Sequence, residues 1–103
     1  MSRVFIVAAK RTAIGSFLGG LSTVHPSVYG SEVVKNILEE TKIPKEKIDE
    51  VVVGNILPAG LGQGVARQVS LGAGIPVSVP AYGINMVCGS GMKTIMIDYT
   101  SIK

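Results

Sequence analysis

Three short apolar runs, separated by segments long enough for helices, constrain the fold of this chain more than any other feature. The runs cover residues 4–9, 51–53 and 77–84. Continuous apolar runs of this length suit strands that are covered on both faces, as the strands of parallel sheets are. Pro80 lies inside the third run, which argues for an edge position or an irregular start of that strand.

The segments after these runs show helical spacing. After Pro26 one stripe of apolar residues repeats at helical intervals, with charged residues on the opposite face, and the stripe ends before Pro44. The stripe consists of Val33, Val34, Ile37 and Leu38. Residues 65–72 predict a second, short helix, and residues 92–102 predict a third. The order of strand and helix, repeated three times, predicts an α/β fold with a mostly parallel sheet.

The third helical pattern continues to Lys103 without a cap or a stop signal. Because domains rarely end inside a helix, we expect an incomplete sheet and interpret residues 1–103 as one truncated domain. A mean hydropathy of +0.44 and a hydrophobic content of 47% are high for a small chain. This excess predicts surfaces that pack against the missing part of a larger chain or against a partner subunit.

Charge and cysteine usage exclude several classes of function. The net charge is only +3, and the densest basic group, Lys42, Lys45 and Lys47, is interleaved with acidic residues. Two Phe, three Tyr and no Trp offer little surface for stacking on bases, so we expect no nucleic-acid binding. No run approaches the roughly 20 apolar residues of a membrane span. A single cysteine excludes an intrachain disulfide and suits a reducing compartment, so we expect a cytoplasmic protein that binds no membrane.

The segment around Cys88 is the strongest candidate for chemistry. The cysteine lies between a predicted strand and a predicted helix, and Gly89, Ser90 and Gly91 follow it. Unpaired N–H groups and the dipole at a helix N-terminus favour the thiolate, which is the nucleophilic form. Small residues let a substrate carbonyl approach the sulfur, and the backbone N–H of Cys88 could donate to an oxyanion. On the residues alone, a small buried hydrophobic cysteine remains an open alternative.

Four segments of the chain, in order, resemble the thiolase family and together cover almost the whole sequence. The segments are residues 8–21, 48–55, 60–68 and 84–92. The first contains Arg11 in a stretch close to the family's Arg-Thr-Pro-x-Gly-x-Phe opening, and the last matches the family's nucleophile segment. The resemblance implies that residues 1–103 are part of the thiolase N-terminal domain.

The resemblance also implies a mechanism. Cys88 would be the catalytic residue, attacking an acyl-CoA thioester and carrying the acyl group as a covalent intermediate. A second acyl-CoA would lose an α-proton and attack the acyl-enzyme, so that two acetyl-CoA molecules give acetoacetyl-CoA and CoA. The reverse reaction would cleave a 3-ketoacyl-CoA. The resemblance implies coenzyme A thioesters as substrates, no cofactor and no metal, and a homo-oligomer in the full-length family.

The family needs more groups than the nucleophile. It uses two histidines and a second cysteine from its C-terminal half, which this sequence lacks. His25 matches none of these positions, and its place before Pro26 predicts a capping or surface role. We therefore expect this chain alone to be acylated weakly or not at all, and to show no full turnover.

Other features of the sequence have structural interpretations. The glycines of residues 60–64 do not complete a dinucleotide-binding pattern, because Val65 stands at its third place. An NAD-dependent oxidoreductase is therefore disfavoured. The resemblance implies packing or interface roles for Gln63 and Arg67. A basic residue such as Arg11 is able to bind a CoA phosphate, but we expect a structural ion pair there.

Two alternatives to a thiolase enzyme remain. A related condensing enzyme, such as a ketoacyl synthase, shares the fold and a cysteine at this helix start, although the segments at Arg11 and Gln63 favour a thiolase. The chain could also be a catalytically incomplete fragment that acts at most as an interaction or dimerising piece. Residues 79–84 would then pair between chains, because the resemblance places this strand at the dimer contact.

The predicted third helix departs from the resembled family. Thiolases fill this helix with small apolar residues, whereas this chain has Asp98 and Tyr99 there. An unpaired buried carboxylate would cost several kcal/mol or shift to its neutral form. We expect either that Asp98 finds a partner in the missing part or that the sequence has drifted after truncation.

Overall fold

The computed structural model describes residues 3–103, in which helices and strands alternate. In chain order the elements are α1 (Pro26–Thr41), a 3-10 turn (Lys45–Lys47), β1 (Val51–Gly54), α2 (Val65–Gly72), β2 (Ala81–Ile84) and α3 (Ser90–Ile102). The alternation confirms the predicted α/β class. The bounds of α2 match the predicted helix of residues 65–72. Across residues 3–103, no helix combines the length and the apolarity needed to cross a bilayer.

The sheet of the described residues has two strands, and they are parallel. Val51 lies opposite Ala81, and Gly54 lies opposite Ile84. The ladder begins with the Val51 N–H, which donates to the Pro80 carbonyl at 2.9 Å. Because parallel strands need a crossover connection, α2 lies between them in sequence and packs against the sheet. The parallel pairing is as predicted.

The prediction of a strand at residues 4–9 is wrong. This run is extended but forms no strand, and Phe5, Ile6 and Val7 are 70%, 79% and 67% exposed. A strand needs a neighbour that takes up its N–H and C=O groups. Within the described residues the run makes no backbone hydrogen bond to β1 or β2, and apolarity alone does not replace that partner.

The third predicted strand begins later than residues 77–84 suggested. Residues 77–79 form a turn, in which the Val79 N–H donates to the Pro76 carbonyl at 3.0 Å. β2 starts only after Pro80, because proline has no N–H to contribute to a ladder. The irregular start inferred from this proline is therefore present.

The buried core lies on one face of the sheet. It contains Leu38, Ala73, Ile75 and Val79, with Val34, Ile43, Ile48 and Val51 packed against it. α1 and α2 are in close contact at Ser31, whose hydroxyl donates to the Ser27 carbonyl at 2.6 Å and lies 3.2 Å from the Val69 carbonyl oxygen. Since Val51 belongs to this core, the odd-numbered side chains of β1 point towards α1 and α2.

The opposite face of the sheet is covered by α3. A Cβ on Gly54 would lie 2.7 Å from both the backbone nitrogen of Gly91 and the carbonyl carbon of Ser90, so only glycine permits this close approach. Side chains more than half exposed lie along the same helix: Met92, Ile95, Met96, Tyr99 and Ile102. The predicted excess of apolar surface is thus found on α3 and in residues 5–7.

Candidate active site

Cys88 lies in the turn between β2 and α3, and it is exposed. The exposure excludes the alternative in which this cysteine is only a buried hydrophobic residue. Met86, Val87 and Met92 surround the turn in sequence and are 48%, 63% and 65% exposed, so an apolar rim accompanies the thiol. The candidate site is therefore an open, apolar surface around an exposed thiol.

The backbone of this turn is strained at the residue before the cysteine. Val87 has a φ of +47°, in the left-handed region that β-branched residues rarely adopt. Such a conformation costs on the order of 1–3 kcal/mol. The chain then reverses tightly, because the Gly89 N–H donates to the Met86 carbonyl at 3.0 Å and the Ser90 N–H donates to the Val87 carbonyl at 3.1 Å. A strained strand-to-helix turn is a known way to present a nucleophile.

Two side chains hold the turn. The Asn85 side-chain oxygen accepts a 3.0 Å hydrogen bond from the Val87 N–H, and its amide nitrogen donates to the Ile56 carbonyl at 3.1 Å. The Ser90 hydroxyl accepts from the Met86 N–H at 2.9 Å and donates to the Val87 carbonyl at 2.6 Å. The sequence indicated no role for Asn85, and for Ser90 it indicated only a small side chain that leaves room for a substrate. The tendency of Asn to bond the N–H two residues on was a signal that could have indicated Asn85.

The N-terminus of α3 directly follows the cysteine. Its N-cap is Gly89, which has no side chain to satisfy the N–H groups of the first turn. The partial positive charge of the helix end is therefore available to a negative group near Cys88. A Cβ on Gly91 would meet no atom within 4 Å, which leaves this end of the helix open to a ligand.

His25 has the structural role that was predicted for it. Its Nδ1 accepts a 3.1 Å hydrogen bond from the Ser27 N–H and so caps α1. Its Nε2 lies 2.9 Å from the Leu61 carbonyl oxygen. With both ring nitrogens engaged in this way, the imidazole joins α1 to the glycine-rich loop and takes no part in the turn around Cys88.

The glycine-rich loop is structural. Gly60, Gly62 and Gly64 have φ values of +75°, +83° and +59°, which only glycine adopts without strain. The loop is closed by the Gln68 side chain, which donates to the Leu61 carbonyl at 2.9 Å. These contacts support the interpretation of residues 60–64 as a backbone feature rather than a dinucleotide site.

The two basic side chains with predicted structural roles differ in outcome. Arg67 donates to the Val79 carbonyl at 2.8 Å and so fastens α2 to the turn before β2, which agrees with a packing role. The ion pair expected at Arg11 is absent from residues 3–103, where the ion pairs are Lys10–Glu40 and Glu32–Lys35. Arg11 instead lines a shallow surface cleft together with Glu32, and its guanidinium is free to remain hydrated.

Within the described residues, the neighbour of Asp98 is Glu50. Glu50 and Asp98 line the same surface cavity of about 750 Å³. Burial, and after it the negative charge of Glu50, raises the pKa of Asp98 above its ordinary value. The Glu50 Oε1 atom is buried and has no hydrogen-bond partner among the described residues. The neighbour of Asp98 is thus a second carboxylate, which favours the neutral form of Asp98 instead of compensating its charge.

A comparison with known proteins decides the family. The model of the thiolase N-terminal domain matches residues 4–103. The chain belongs to the thiolase family. The Acat5 thiolase from Ascaris suum, solved in complex with coenzyme A, superposes with a TM-score of 0.84 at 41% identity over 89% of this chain. The fold is therefore part of a thiolase domain, and the ketoacyl synthase alternative is set aside.

Curated relatives are similar along the full length of this thiolase chain. It is 50% identical over 99 residues to the cytosolic acetyl-CoA acetyltransferase of Mus musculus, and 49% identical over 102 residues to the mitochondrial one of Danio rerio. These matches cover 96% and 99% of the chain but only 25% and 24% of the relatives. The chain thus spans about a quarter of their length. Since relatives are named from both compartments, the cytoplasmic location stays a prediction.

Proposed function

We propose that this thiolase chain carries the acyl-accepting nucleophile of an acyl-CoA acyltransferase, and that the nucleophile is Cys88. The observation that carries the proposal is the exposed thiol that directly follows the strained Val87 and directly precedes Gly89, the N-cap of α3. Acyl-CoA is the proposed substrate because relatives are named acetyl-CoA acetyltransferases and the similar Ascaris suum thiolase was solved with coenzyme A.

The proposed half-reaction uses groups that lie together in the turn. The Cys88 sulfur attacks the thioester carbonyl of acetyl-CoA, a carbon–sulfur bond to the enzyme forms, and the bond to CoA breaks. CoA leaves as a thiolate and takes up the proton that Cys88 lost to the solvent. The negative charge that develops on the carbonyl oxygen is stabilised by the backbone N–H of Cys88 and by the uncapped start of α3.

The second half-reaction returns the enzyme to its free form. A second acetyl-CoA loses an α-proton, and its carbanion attacks the acetyl group on Cys88. Acetoacetyl-CoA leaves, and the cysteine is free again. This step needs a general base. His25 caps α1 and contacts Leu61, so the chain by itself performs the first half-reaction at most.

A second candidate function is that of a catalytically incomplete piece that associates with another chain. The observation that favours it is the exposed apolar surface at residues 5–7 and along α3. Such surface is more than an isolated small protein usually exposes. In this function the chain would pair as a homo-oligomer or with other thiolase segments, and Cys88 would not be acylated.

Intact-mass measurement after incubation with acetyl-CoA distinguishes the two functions. We expect a small fraction of the chain to gain one acetyl group, and we expect no acetoacetyl-CoA in the mixture. The Cys88→Ser variant should gain none. Alkylation by iodoacetamide serves as the control for an intact and accessible thiol. A chain that is alkylated fully but never acetylated would support the incomplete fragment.

A further inference from the structure

We propose that Asn85 and Ser90 are positioning residues for the Cys88 nucleophile, holding the strained turn so that thiol and backbone N–H face one substrate. This inference rests on the proposed function of Cys88 as the acyl acceptor. Neither residue touches the reacting atoms in this proposal. Both act through the peptide units of Met86 and Val87.

The two side chains form hydrogen bonds to these peptide units from opposite ends of the turn. Asn85, at the end of β2, holds the Val87 N–H at 3.0 Å and is itself anchored to the Ile56 carbonyl at 3.1 Å. Ser90, at the first position of α3, holds the Met86 N–H at 2.9 Å and the Val87 carbonyl at 2.6 Å. The N–H and the carbonyl of Val87 are therefore both bound by side chains.

These contacts explain why an unfavourable backbone conformation persists. Val87 is 63% exposed, so packing of its side chain does not enforce its φ of +47°. Strained conformations persist only where the surroundings over-determine them. Ser90 is 4% exposed, so its hydroxyl is held within the structure. The Asn85 and Ser90 side-chain hydrogen bonds restrain this residue, together with the backbone bond that the Ser90 N–H donates to the Val87 carbonyl at 3.1 Å.

Relaxation of the turn would affect acyl transfer more than other reactions of the thiol. Acyl transfer needs the sulfur and an oxyanion donor aligned on one carbonyl, whereas alkylation by iodoacetamide needs only the sulfur. The ratio of the two rates at Cys88 therefore reports alignment. Since both reactions use the thiolate, a change in thiol ionisation affects both rates and cancels in the ratio.

The test measures this ratio with p-nitrophenyl acetate and iodoacetamide on the full chain. The Cys88 sulfur forms a bond to the acetyl carbon, the carbon–oxygen bond breaks, p-nitrophenolate leaves, and the thiol proton passes to the buffer. The Cys88→Ser variant supplies the background from other nucleophiles. The variants are Asn85→Ala, Asn85→Asp and Ser90→Ala, and circular dichroism confirms that each is folded.

Thr94→Ala is the matched control. Thr94 also lies in α3, and its hydroxyl also donates to the carbonyl three residues earlier, that of Gly91, at 2.7 Å. Among the described residues it forms no hydrogen bond to the peptide units of Met86 or Val87. Removing its hydroxyl therefore reproduces the loss of a side-chain hydrogen bond at the start of α3 without releasing the turn.

We expect the ratio to fall roughly tenfold or more in Asn85→Ala and Ser90→Ala, because small misplacements of reacting groups have large effects on rate. Asn85→Asp keeps the acceptor for the Val87 N–H and should restore most of the ratio. Thr94→Ala should leave it unchanged. If Ser90→Ala does not fold, the two variants of the exposed Asn85, Asn85→Ala and Asn85→Asp, test the proposal by themselves.

Three outcomes would overturn the proposal: an unchanged ratio in folded Asn85→Ala, an equal fall in Thr94→Ala, or a parent ratio no higher than that of the unfolded chain. The proposed function fails in a different way, because it requires acetylation by acetyl-CoA. If the ratio responds as expected but acetyl-CoA never acetylates the chain, Asn85 and Ser90 would still be positioning residues, and acetyl-CoA would be the wrong substrate.

Discussion

The two ends of the contact between α3 and the sheet are built from opposite kinds of chemistry. At the end that carries Cys88, Gly54 lies against the backbone of Ser90 and Gly91 with no room for a side chain. At the other end, Glu50 and Asp98 border one cavity. One end is neutral and tightly packed, whereas the other brings two carboxyl groups together.

The geometry of a helix running antiparallel to a strand explains this arrangement. From Gly91 to Asp98 the helix rises about 10 Å, and from Gly54 back to Glu50, the residue before β1, the extended chain covers about 13 Å. Side chains of a strand alternate between faces, so Glu50 shares the face of Gly54. α3 is therefore held tightly at its Cys88 end and less favourably at its far end, where its stability depends on protonation.

The largest effect should come from adding a methyl group at the tight end. Gly54→Ala places a Cβ 2.7 Å from the backbone of Gly91, and because backbone cannot rotate away, α3 must shift. We expect a loss of about 1–3 kcal/mol in the free energy of unfolding and a changed alkylation rate of Cys88. Urea unfolding followed by circular dichroism measures the first of these effects.

Gly83→Ala is the control for that substitution. Gly83 lies in β2, and a Cβ there would be 3.7 Å from the Val53 carbonyl oxygen, an ordinary contact. We expect a change within about 0.5 kcal/mol. If both alanine variants destabilised the chain equally, the loss would reflect the strands in general, and the close contact with α3 would not be its cause.

How far the sequence could predict these features depends on how local they are. Residues 65–72 form the predicted helix because its apolar stripe and its flanking glycines act within a few residues. Residues 4–9 form no strand, because a strand needs a partner that the run itself does not specify. The motif located Cys88, but the φ of Val87 arises from bonds to Asn85 and Ser90, which periodicity does not report.

Asp98, at the other end of α3, shows the same limit of prediction from sequence. The departure from the resembled family indicated that Asp98 is unsuited to a buried helix face. It could not identify Glu50 as the neighbour, because the two residues are far apart in sequence and meet only through the packing of α3 on β1. Cys88 as the acyl acceptor stays a prediction, since its assignment depends on chemistry that packing does not test.

Removing the charge at Asp98 should stabilise the chain in a pH-dependent way. The pKa of Asp98 is raised in the folded state, so folding carries no penalty below the ordinary carboxyl pKa of about 3.9, where both states are protonated. The penalty grows as the pH rises from this ordinary pKa to the raised pKa of the folded state, and it stays constant above the folded pKa. Asp98→Asn should therefore match the parent near pH 3.5 and exceed its stability near pH 7 by about 0.5 kcal/mol, the scale of partly solvated charge pairs.

Glu39→Gln controls for the loss of one negative charge from a chain with a net charge of +3. Glu39 is exposed on α1 and lies away from the α3 contact. The difference in free energy of unfolding between Glu39→Gln and the parent should therefore not depend on the carboxyl groups of Glu50 and Asp98. Urea unfolding near pH 3.5 and near pH 7 measures the free energy of unfolding of the parent, of Asp98→Asn and of Glu39→Gln. An advantage of Asp98→Asn that is equal at both pH values, or one that Glu39→Gln shares, would contradict the pairing with Glu50.

The smallest effect should be a shift in the titration of Tyr82, which lies on β2 opposite Val52 and so on the face that α3 covers. Burial raises the pKa of the Tyr82 hydroxyl, and the charges of Glu50 and Asp98 raise it further. Removing the carboxylate in Glu50→Gln should lower that pKa, because tyrosinate then forms beside one negative charge fewer.

Tyrosinate absorbance measures this pKa, and Tyr82→Phe identifies the signal of this residue among the three tyrosines. Glu39→Gln should leave the curve unchanged. If the Tyr82 titration did not respond to Glu50→Gln, the charge of Glu50 would not act on β2, and the electrostatic contrast between the two ends of α3 would be wrong. The tight contact at Gly54 does not depend on this result.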